Sequence, residues 1–135
     1  MSTSTPEPER DDPLGGAFGA VRSARAGGFV FTSAVTGVIG MEDGVLHFAD
    51  TFDAQLLVVG ERLGRRLATF GCTGADILDA TVWLHPSVDI DPGELLDRLQ
   101  EQVFSAHSPA LSIVRAVNLY DDVLVSVKVI AYQPD

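Results

Sequence analysis

The side chains best suited to nucleophilic or metal chemistry are few and lie far apart in the sequence. The chain has three histidines, His47, His85 and His107, and a single cysteine, Cys72. No two histidines have the helical i, i+4 spacing of a metal site, and one cysteine forms neither an intrachain disulfide nor a multi-cysteine zinc site. Cys72 follows the end of a predicted helix, where the helix dipole disfavours a thiolate. We therefore predict no metal, and we interpret each histidine as a solvated or hydrogen-bonded residue.

Motifs for phosphate binding and for serine nucleophiles are also missing. The glycines between Gly15 and Gly28 lack the spacing and the lysine of a P-loop, and no serine lies in a nucleophile-elbow pattern. We expect no cofactor, and motifs alone define no enzyme class.

The segment SPALSIVRAVNLYDDVLVSVKVIA, residues 108–131, predicts two strands around a turn near Tyr120 and Asp121. Alternation places Leu111, Ile113 and Arg115 on one face of the first strand, and Ser126 and Lys128 on one face of the second. If the strands form an antiparallel hairpin, Arg115 lies opposite Ser126 and Ile113 opposite Lys128. Both sets then share one face, while the valines of the second strand turn toward the helices: Val125, Val127 and Val129.

The elements that position this hairpin alternate along the chain. Strands are predicted over Gly27–Gly37, over Gly40–Phe48 with a turn at Asp43-Gly44, and over Ile77–His85. A helix from Asp50 to Gly71 has apolar residues at helical spacing, and its Gly60 and Gly64 would let it lie close against a sheet. A second helix begins at Asp91-Pro92, with a stripe of Leu96, Leu99 and Val103.

This β-β-α-β-α-β-β order predicts an α+β fold with both helices on one face of a mixed sheet. No third helix is predicted to cover the other face, so self-association is expected to cover it.

Composition limits the classes of partner. At 135 residues, 46% hydrophobic and 21% charged, the sequence is typical of one globular domain. The net charge of −10 disfavours nucleic acid. No apolar run approaches a membrane span, and the start MSTSTPEPERDDP lacks the apolar core of a signal peptide. We expect a cytoplasmic protein with no membrane partner, in which a disordered tail, residues 1–13, precedes a single domain, residues 14–135.

The closing segment PALSIVRAVNLYDDVLVSVKVIA, residues 109–131, resembles the C-terminal signature of the Rid (YjgF-like) family, the reactive-intermediate or imine deaminases. That signature begins Pro-Ala-Arg-Ser and ends in a strand with Glu followed by Ile-Ala. FVFTSAVTG (residues 29–37) and the segment from Phe52 to Leu84 resemble the strand and the Gln-bearing helix of the same family. The resemblance extends from Phe18 to Tyr132.

The resemblance implies a chorismate-mutase-like fold, a homotrimer and ligand clefts between subunits. It also implies hydrolysis of enamines and imines, in which an Arg holds the substrate carboxylate, a Glu orients the water and a Tyr closes the cleft. Leu111 stands at the Arg position and Ser126 at the Glu position, while Ser33 is retained. The Tyr position falls on Ala20, or on Phe18 if the intervening loop is longer. The chain is therefore interpreted as a divergent member that lacks the substrate-binding Arg.

An apolar Leu111 disfavours a small imino acid, because a carboxylate buried there would be unpaired. We expect an inter-subunit cleft that takes a neutral or apolar small molecule. The predicted ligand-binding residues are Ser33, Leu111, Ile113, Ser126, Phe18, Phe31 and, at the rim, Arg115 and Lys128. Arg115 and Lys128 are alternatively solvated or paired with acids of a neighbouring subunit.

Three functional classes stay open. The chain is a divergent Rid-type enzyme with a hydrolytic or tailoring step in a biosynthetic pathway, a non-catalytic small-molecule-binding trimer, or a structural trimer whose cleft is filled. The family's mostly enzymatic character favours the first class. The sequence names no substrate.

Overall fold

A computed structural model describes residues 23–118 and 120–134, together with the backbone of residues 9 and 10. Its elements in chain order are β1 (Glu9–Arg10), β2 (Ser23–Ala26), β3 (Phe29–Thr32), β4 (Val35–Thr36), β5 (Val38–Glu42), β6 (Val45–Phe48), α1 (Phe52–Thr69), a 3₁₀ turn (Gly74–Asp76), β7 (Ile77–Leu84), α2 (Pro92–Gln102), β8 (Ala110–Arg115) and β9 (Val125–Tyr132).

Both helices were predicted from local chemistry, and both form. Thr51 caps α1 by accepting the Ala54 N–H, and the stripe of α1 that faces the sheet is buried. Asp91 caps α2 by accepting the N–H groups of Gly93 and Glu94, with Pro92 at the first helical position. The buried stripe of α2 begins at Leu95 rather than at the predicted Leu96, because the i, i+4 spacing to Leu99 and Val103 continues from Leu95.

The N-terminal strands are more numerous than predicted. The strand expected over Gly27–Gly37 is divided into β3 and β4, and β2 precedes it across a turn at Gly27 and Gly28. β5 and β6 form the hairpin signalled by Asp43-Gly44, where both residues have positive φ, as a tight hairpin turn requires. β1 pairs with β2, so residues 9 and 10 are strand within the segment predicted to be a tail. The rest of that tail lies outside the described residues and stays a prediction.

The predicted closing hairpin is wrong. The sheet has the order β1-β2-β3-β9-β7-β8, with β4 also on β9, so β7 lies between β8 and β9. β8 is parallel to β7, with Leu111 beside Ala80, and β9 is antiparallel to β7, with Val129 beside Ala80. β7 is an apolar strand whose two edges both need partners. The nine residues 116–124 are long enough to cross it to a strand about 4.8 Å beyond.

The expected fold class is confirmed: two helices pack on one face of a mixed sheet. The core between the helices and the sheet contains Val30, Leu56, Leu63, Val82 and Val127, all at most 1% exposed. The opposite face of the sheet carries aromatic residues that stay open to solvent in the single chain, with Phe29 at 40% and Phe31 at 41% exposure.

Candidate functional site

Leu111 and Ser126 lie on opposite faces of the sheet, which corrects the predicted shared face. Directly paired strand residues point to the same side. Leu111 is in register with Ala80 and Val129, which are fully buried under the helices. Ser126 is in register with Trp83 and Thr36, on the face without helices. One chain therefore does not bring the two residues into one pocket.

The helix-side face of β8 has an apolar wall at Leu111 and Ile113. Leu111 is half-buried and packs against the core, and Ile113 is 43% exposed in register with Val82. β8 lies at the edge of the sheet, so this wall is open on one side. A surface of this kind accepts apolar ligand atoms and offers no charge to a carboxylate.

Arg115, predicted at the rim of a cleft, binds backbone instead. Its Nη1 donates to the Val88 carbonyl oxygen at 2.7 Å and to the His85 carbonyl oxygen at 3.5 Å. The side chain is exposed, so these bonds are compatible with the predicted solvation, and a pairing with acids of a neighbouring subunit stays a prediction. Arg115 fixes the loop that follows β7.

Ser126 is 1% exposed and belongs to a buried polar pair. Its Oγ donates to Asn118 Oδ1 at 3.4 Å. Asn118 Nδ2 is also buried and has no hydrogen-bond partner among the described residues. In this contact the amide oxygen of Asn118 is the acceptor, so the two Nδ2 N–H groups do not face Ser126. A buried N–H donor without a partner is destabilising, and the site therefore favours a ligand atom that accepts a hydrogen bond.

The other predicted site residues are dispersed. Ser33 is exposed and its Oγ accepts a hydrogen bond from Arg66 Nη1 at 3.2 Å, on the helix side. Phe31, beside Ile130, and Lys128, beside Thr81, lie on the open face of the sheet and are exposed. Phe18 and Ala20, the two candidates for the Tyr position, lie outside the described residues.

Apart from the apolar wall of β8, the structure has a cleft of about 450 Å³ where the loops after β7 and β8 meet the β5–β6 hairpin and the start of α1. At its wall His85 Nδ1 lies 2.7 Å from Ser87 Oγ, and His85 Nε2 lies 3.2 Å from Asp121 Oδ1. Gln55 fixes the floor: its Nε2 donates to the carbonyl oxygens of Ala49 and Asp122, and its Oε1 accepts the Leu124 N–H. We call this the His85 cleft.

Within the described residues, no group of His, Cys, Asp and Glu is arranged to hold a metal ion. Burial raises the pKa of the Cys72 thiol, and the nearby Asp76 carboxylate adds to the increase. The direction agrees with the poor nucleophile expected from the sequence, although burial rather than the helix end is the main cause. None of the described helices is both long and apolar enough to cross a bilayer.

Residues 17–133 match the model of the family described as Endoribonuclease L-PSP, also known as the YjgF/UK114 or Rid family. The chain belongs to this family. Among solved structures, a YjgF/YER057c/UK114 family member from Mycobacterium tuberculosis is 22% identical with a TM-score of 0.72, over 94% of this chain and 100% of that one. A YjgF family member from Neisseria meningitidis is 21% identical with a TM-score of 0.70, over 96% of this chain and 97% of that one. At this identity the likeness shows the fold alone, and no curated protein matches the sequence.

Sequence reasoning missed two groups of polar residues in this Rid-family chain. His85 was predicted at the end of a strand. Its contact with Asp121 depends on β9 lying beside β7, whereas its contact with Ser87 is local to the turn after β7. No prediction was made for Asn118, and its pairing with Ser126 depends on β7 lying between β8 and β9. The His85-Pro86-Ser87 sequence was the available signal, because a histidine two residues before a serine in a turn can accept its N–H.

Proposed function

We propose that this Rid-family chain binds a neutral or apolar small molecule in a cleft between the subunits of a homotrimer and acts on it in a hydrolytic or tailoring step. In this proposal it is not a standard 2-imino-acid deaminase. The observation that carries the proposal is the apolar surrounding of Leu111. Leu111 is paired with Ala80, which is paired in turn with Val129 one strand further on, and Arg115 on the same face is bound to carbonyl oxygens.

A cleft between subunits is consistent with the opposite placement of Leu111 and Ser126. Two faces of one sheet meet in one pocket when two copies of the chain contribute one face each. Leu111 and Ile113 would then come from one subunit, and Ser126 with Asn118 from its neighbour. The unpaired N–H groups of Asn118 Nδ2 suit a carbonyl or hydroxyl oxygen, so one or two hydrogen bonds would orient a neutral ligand.

The alternative is a trimer that binds a small molecule without catalysis, or one that is purely structural. Ser126, at the position of the water-orienting Glu, has no charge and is engaged with Asn118, which favours this alternative. The acidic charge of −10 argues against an RNA substrate, although the family description names an endoribonuclease. A cytoplasmic location remains part of the proposal.

The deaminase activity can be tested directly. A pyridoxal-phosphate dehydratase generates 2-aminoacrylate, and keto-acid release is measured with and without the protein. We expect no acceleration over spontaneous hydrolysis, because the substrate carboxylate has no cation at Leu111. Leu111→Arg alone should not restore activity, since Ser126 still replaces the Glu. Clear acceleration by the wild-type protein would contradict the proposal.

A further inference from the structure

The His85 cleft contains the three groups of a nucleophile, a base and an orienting carboxylate in hydrogen-bond contact. Ser87 Oγ is 2.7 Å from His85 Nδ1, and Asp121 Oδ1 is 3.2 Å from His85 Nε2. A nucleophile within hydrogen-bond reach of a base that a third group orients is the signature of covalent catalysis. The His85 side chain is 15% exposed, so the ring is sheltered at the cleft wall.

The backbone decides which nitrogen of His85 is the base. The Ser87 N–H donates to His85 Nδ1 at 3.0 Å, so Nδ1 carries a lone pair in the neutral ring. The proton then lies on Nε2, which donates to the Asp121 carboxylate. Ser87 Oγ lies 2.7 Å from the same nitrogen, so its hydroxyl shares the single Nδ1 lone pair with the Ser87 N–H.

Arg115 holds this arrangement in place. Its Nη1 bonds the carbonyl oxygens of His85 and Val88, on either side of Ser87. The His85 N–H donates to the Leu124 carbonyl oxygen at 2.9 Å, which joins the loop to the segment after Asp121. The three groups thus lie on two loops that the His85–Leu124 backbone hydrogen bond joins, and Arg115 holds the first of these loops.

We propose that the His85 cleft is an acyl-transfer site in which Ser87 is the nucleophile and His85 the base. Ser87 Oγ forms a bond to an ester carbonyl carbon while its proton passes to His85 Nδ1. The bond to the leaving oxygen then breaks, and that oxygen takes the proton from Nδ1. In the second half of the reaction water attacks the carbonyl carbon of the acyl-Ser87 ester while its proton passes to His85 Nδ1. The bond from that carbon to Ser87 Oγ then breaks, the acid leaves, and Ser87 Oγ takes the proton from Nδ1.

Proton transfer also provides a donor for the oxyanion. Once Nδ1 is protonated it no longer accepts the Ser87 N–H, which is freed beside the reacting carbon. The N–H of the nucleophile's own residue is one of the oxyanion donors of serine proteases.

The residues around the cleft define the substrate class. Three carboxylates line it, from Asp50, Asp121 and Asp122, and none of the described residues in its lining is a Lys or an Arg. The field therefore disfavours an anionic substrate. A volume of about 450 Å³ suits a small molecule, so the substrate class is a small uncharged or cationic ester.

The test uses the full-length protein, p-nitrophenyl acetate as a neutral ester and a fluorophosphonate as a serine-reactive label. We expect one phosphonate adduct, which peptide mass spectrometry locates at Ser87, and ester hydrolysis above the buffer rate. Ser87→Ala should remove both. His85→Gln should lower the labelling rate about 100-fold or more, as expected for loss of a general base.

Ser108→Ala is the matched control, because Ser108 also lies next to a histidine. There, His107 Nε2 bonds the Ile77 carbonyl oxygen, and Ser108 Oγ accepts from Gln100, so no base faces the hydroxyl. This variant should label like wild type. Absence of an adduct, or an adduct that persists in Ser87→Ala, would overturn the proposal and leave His85 as a turn-stabilising residue.

If His85→Gln labels too slowly to measure, the Ser87→Cys variant still tests whether His85 acts as a base. Iodoacetamide should alkylate Ser87→Cys at least tenfold faster than Ser87→Cys/His85→Gln, because His85 promotes the thiolate. Equal rates would refute a base at His85. The result is independent of the cleft at Leu111, whose variants leave these groups intact.

Discussion

At the scale of residues, Leu111 has a double environment. It packs against the core on one side and faces the open edge of β8 on the other. Its apolar surroundings could be predicted from the sequence, because the residue type and the neighbouring valines agree. The side of the sheet on which Leu111 lies could not be predicted, since it depends on which strand lies beside β8. Arg115 shows the same limit: its charge was evident, and its carbonyl partners were not.

Leu111→Asp tests the apolar wall. We expect it to lower the free energy of unfolding by about 2–4 kcal/mol, because a carboxylate would lie half-buried beside Ala80 and the apolar core without a partner. Leu111→Met keeps the volume and the apolar character, and it should cost less than about 1.5 kcal/mol. Urea unfolding measures both. Equal stability of Leu111→Asp and wild type would mean that this side chain is solvated.

Cys72 makes the stability of the folded protein depend on pH, and the pKa shift of its thiol gives the direction of that dependence. Burial raises the pKa of its thiol above the ordinary value, so the folded state holds a proton that the unfolded state loses at alkaline pH. The stabilisation is complete below the unfolded thiol pKa and is lost as pH rises through the folded pKa. Urea unfolding at increasing alkaline pH should show this loss, and Cys72→Ala should lack it. A wild-type pH profile identical to that of Cys72→Ala would contradict it.

At the scale of elements, the sequence predicted caps and turns that depend on nearby residues, and it did not predict which distant strands pair. Asp91 and the Asp43-Gly44 turn act on residues within four positions of themselves, so this cap and this turn were predicted. The cap of α1 at Thr51 was not, since that helix was predicted from Asp50. The partner of β8 is chosen by the crossover through α2 and by the need of β7 for two neighbours. The two helical glycines were read as a contact with the sheet, and the structure corrects this: Gly60 meets α2, and Gly64 faces solvent.

Gly60 and Gly64 form a matched pair for mutation. A Cβ at Gly60 would lie 2.2 Å from the Gln102 carbonyl oxygen, whereas a Cβ at Gly64 would meet nothing within 4 Å. Gly64→Ala should stabilise the protein by about 0.5–1 kcal/mol through helix propensity. Gly60→Ala should destabilise it by about 1–3 kcal/mol, because α2 must shift away. Thermal unfolding distinguishes the two, and stabilisation by Gly60→Ala would refute the close approach of the helices.

At the scale of the whole molecule, the open face of the sheet is the main unsatisfied surface. Phe29 and Tyr132 pack with ring centroids 4.8 Å apart on this face, and Phe31 lies beside Ile130. A sheet face without a covering layer was predicted, because the sequence predicts only two helices and both lie on the other face. The number of subunits that cover it was not, because it depends on the angle between copies.

The trimer is the prediction at this scale. Sedimentation at micromolar concentration should give the mass of three chains. Phe31→Glu should release monomers, because it places a charge in the apolar face. Leu57→Glu, an exposed apolar site on α1, is the control and should stay assembled. A wild-type monomer, or a trimer unaffected by Phe31→Glu, would contradict this use of the face.

The position of β9 in the sheet has a consequence for synthesis of the chain. β9 follows all the other described strands in the sequence, yet it pairs with β3, β4 and β7 and so occupies the centre. Val30 meets Ala131 across most of the chain length, which is a slow kind of contact to form. While the ribosome still holds residues 125–132, β3 and β7 have no strand to join them. A premature stop before Val125 would therefore remove the middle of the sheet, and the product would expose both halves to proteases and chaperones.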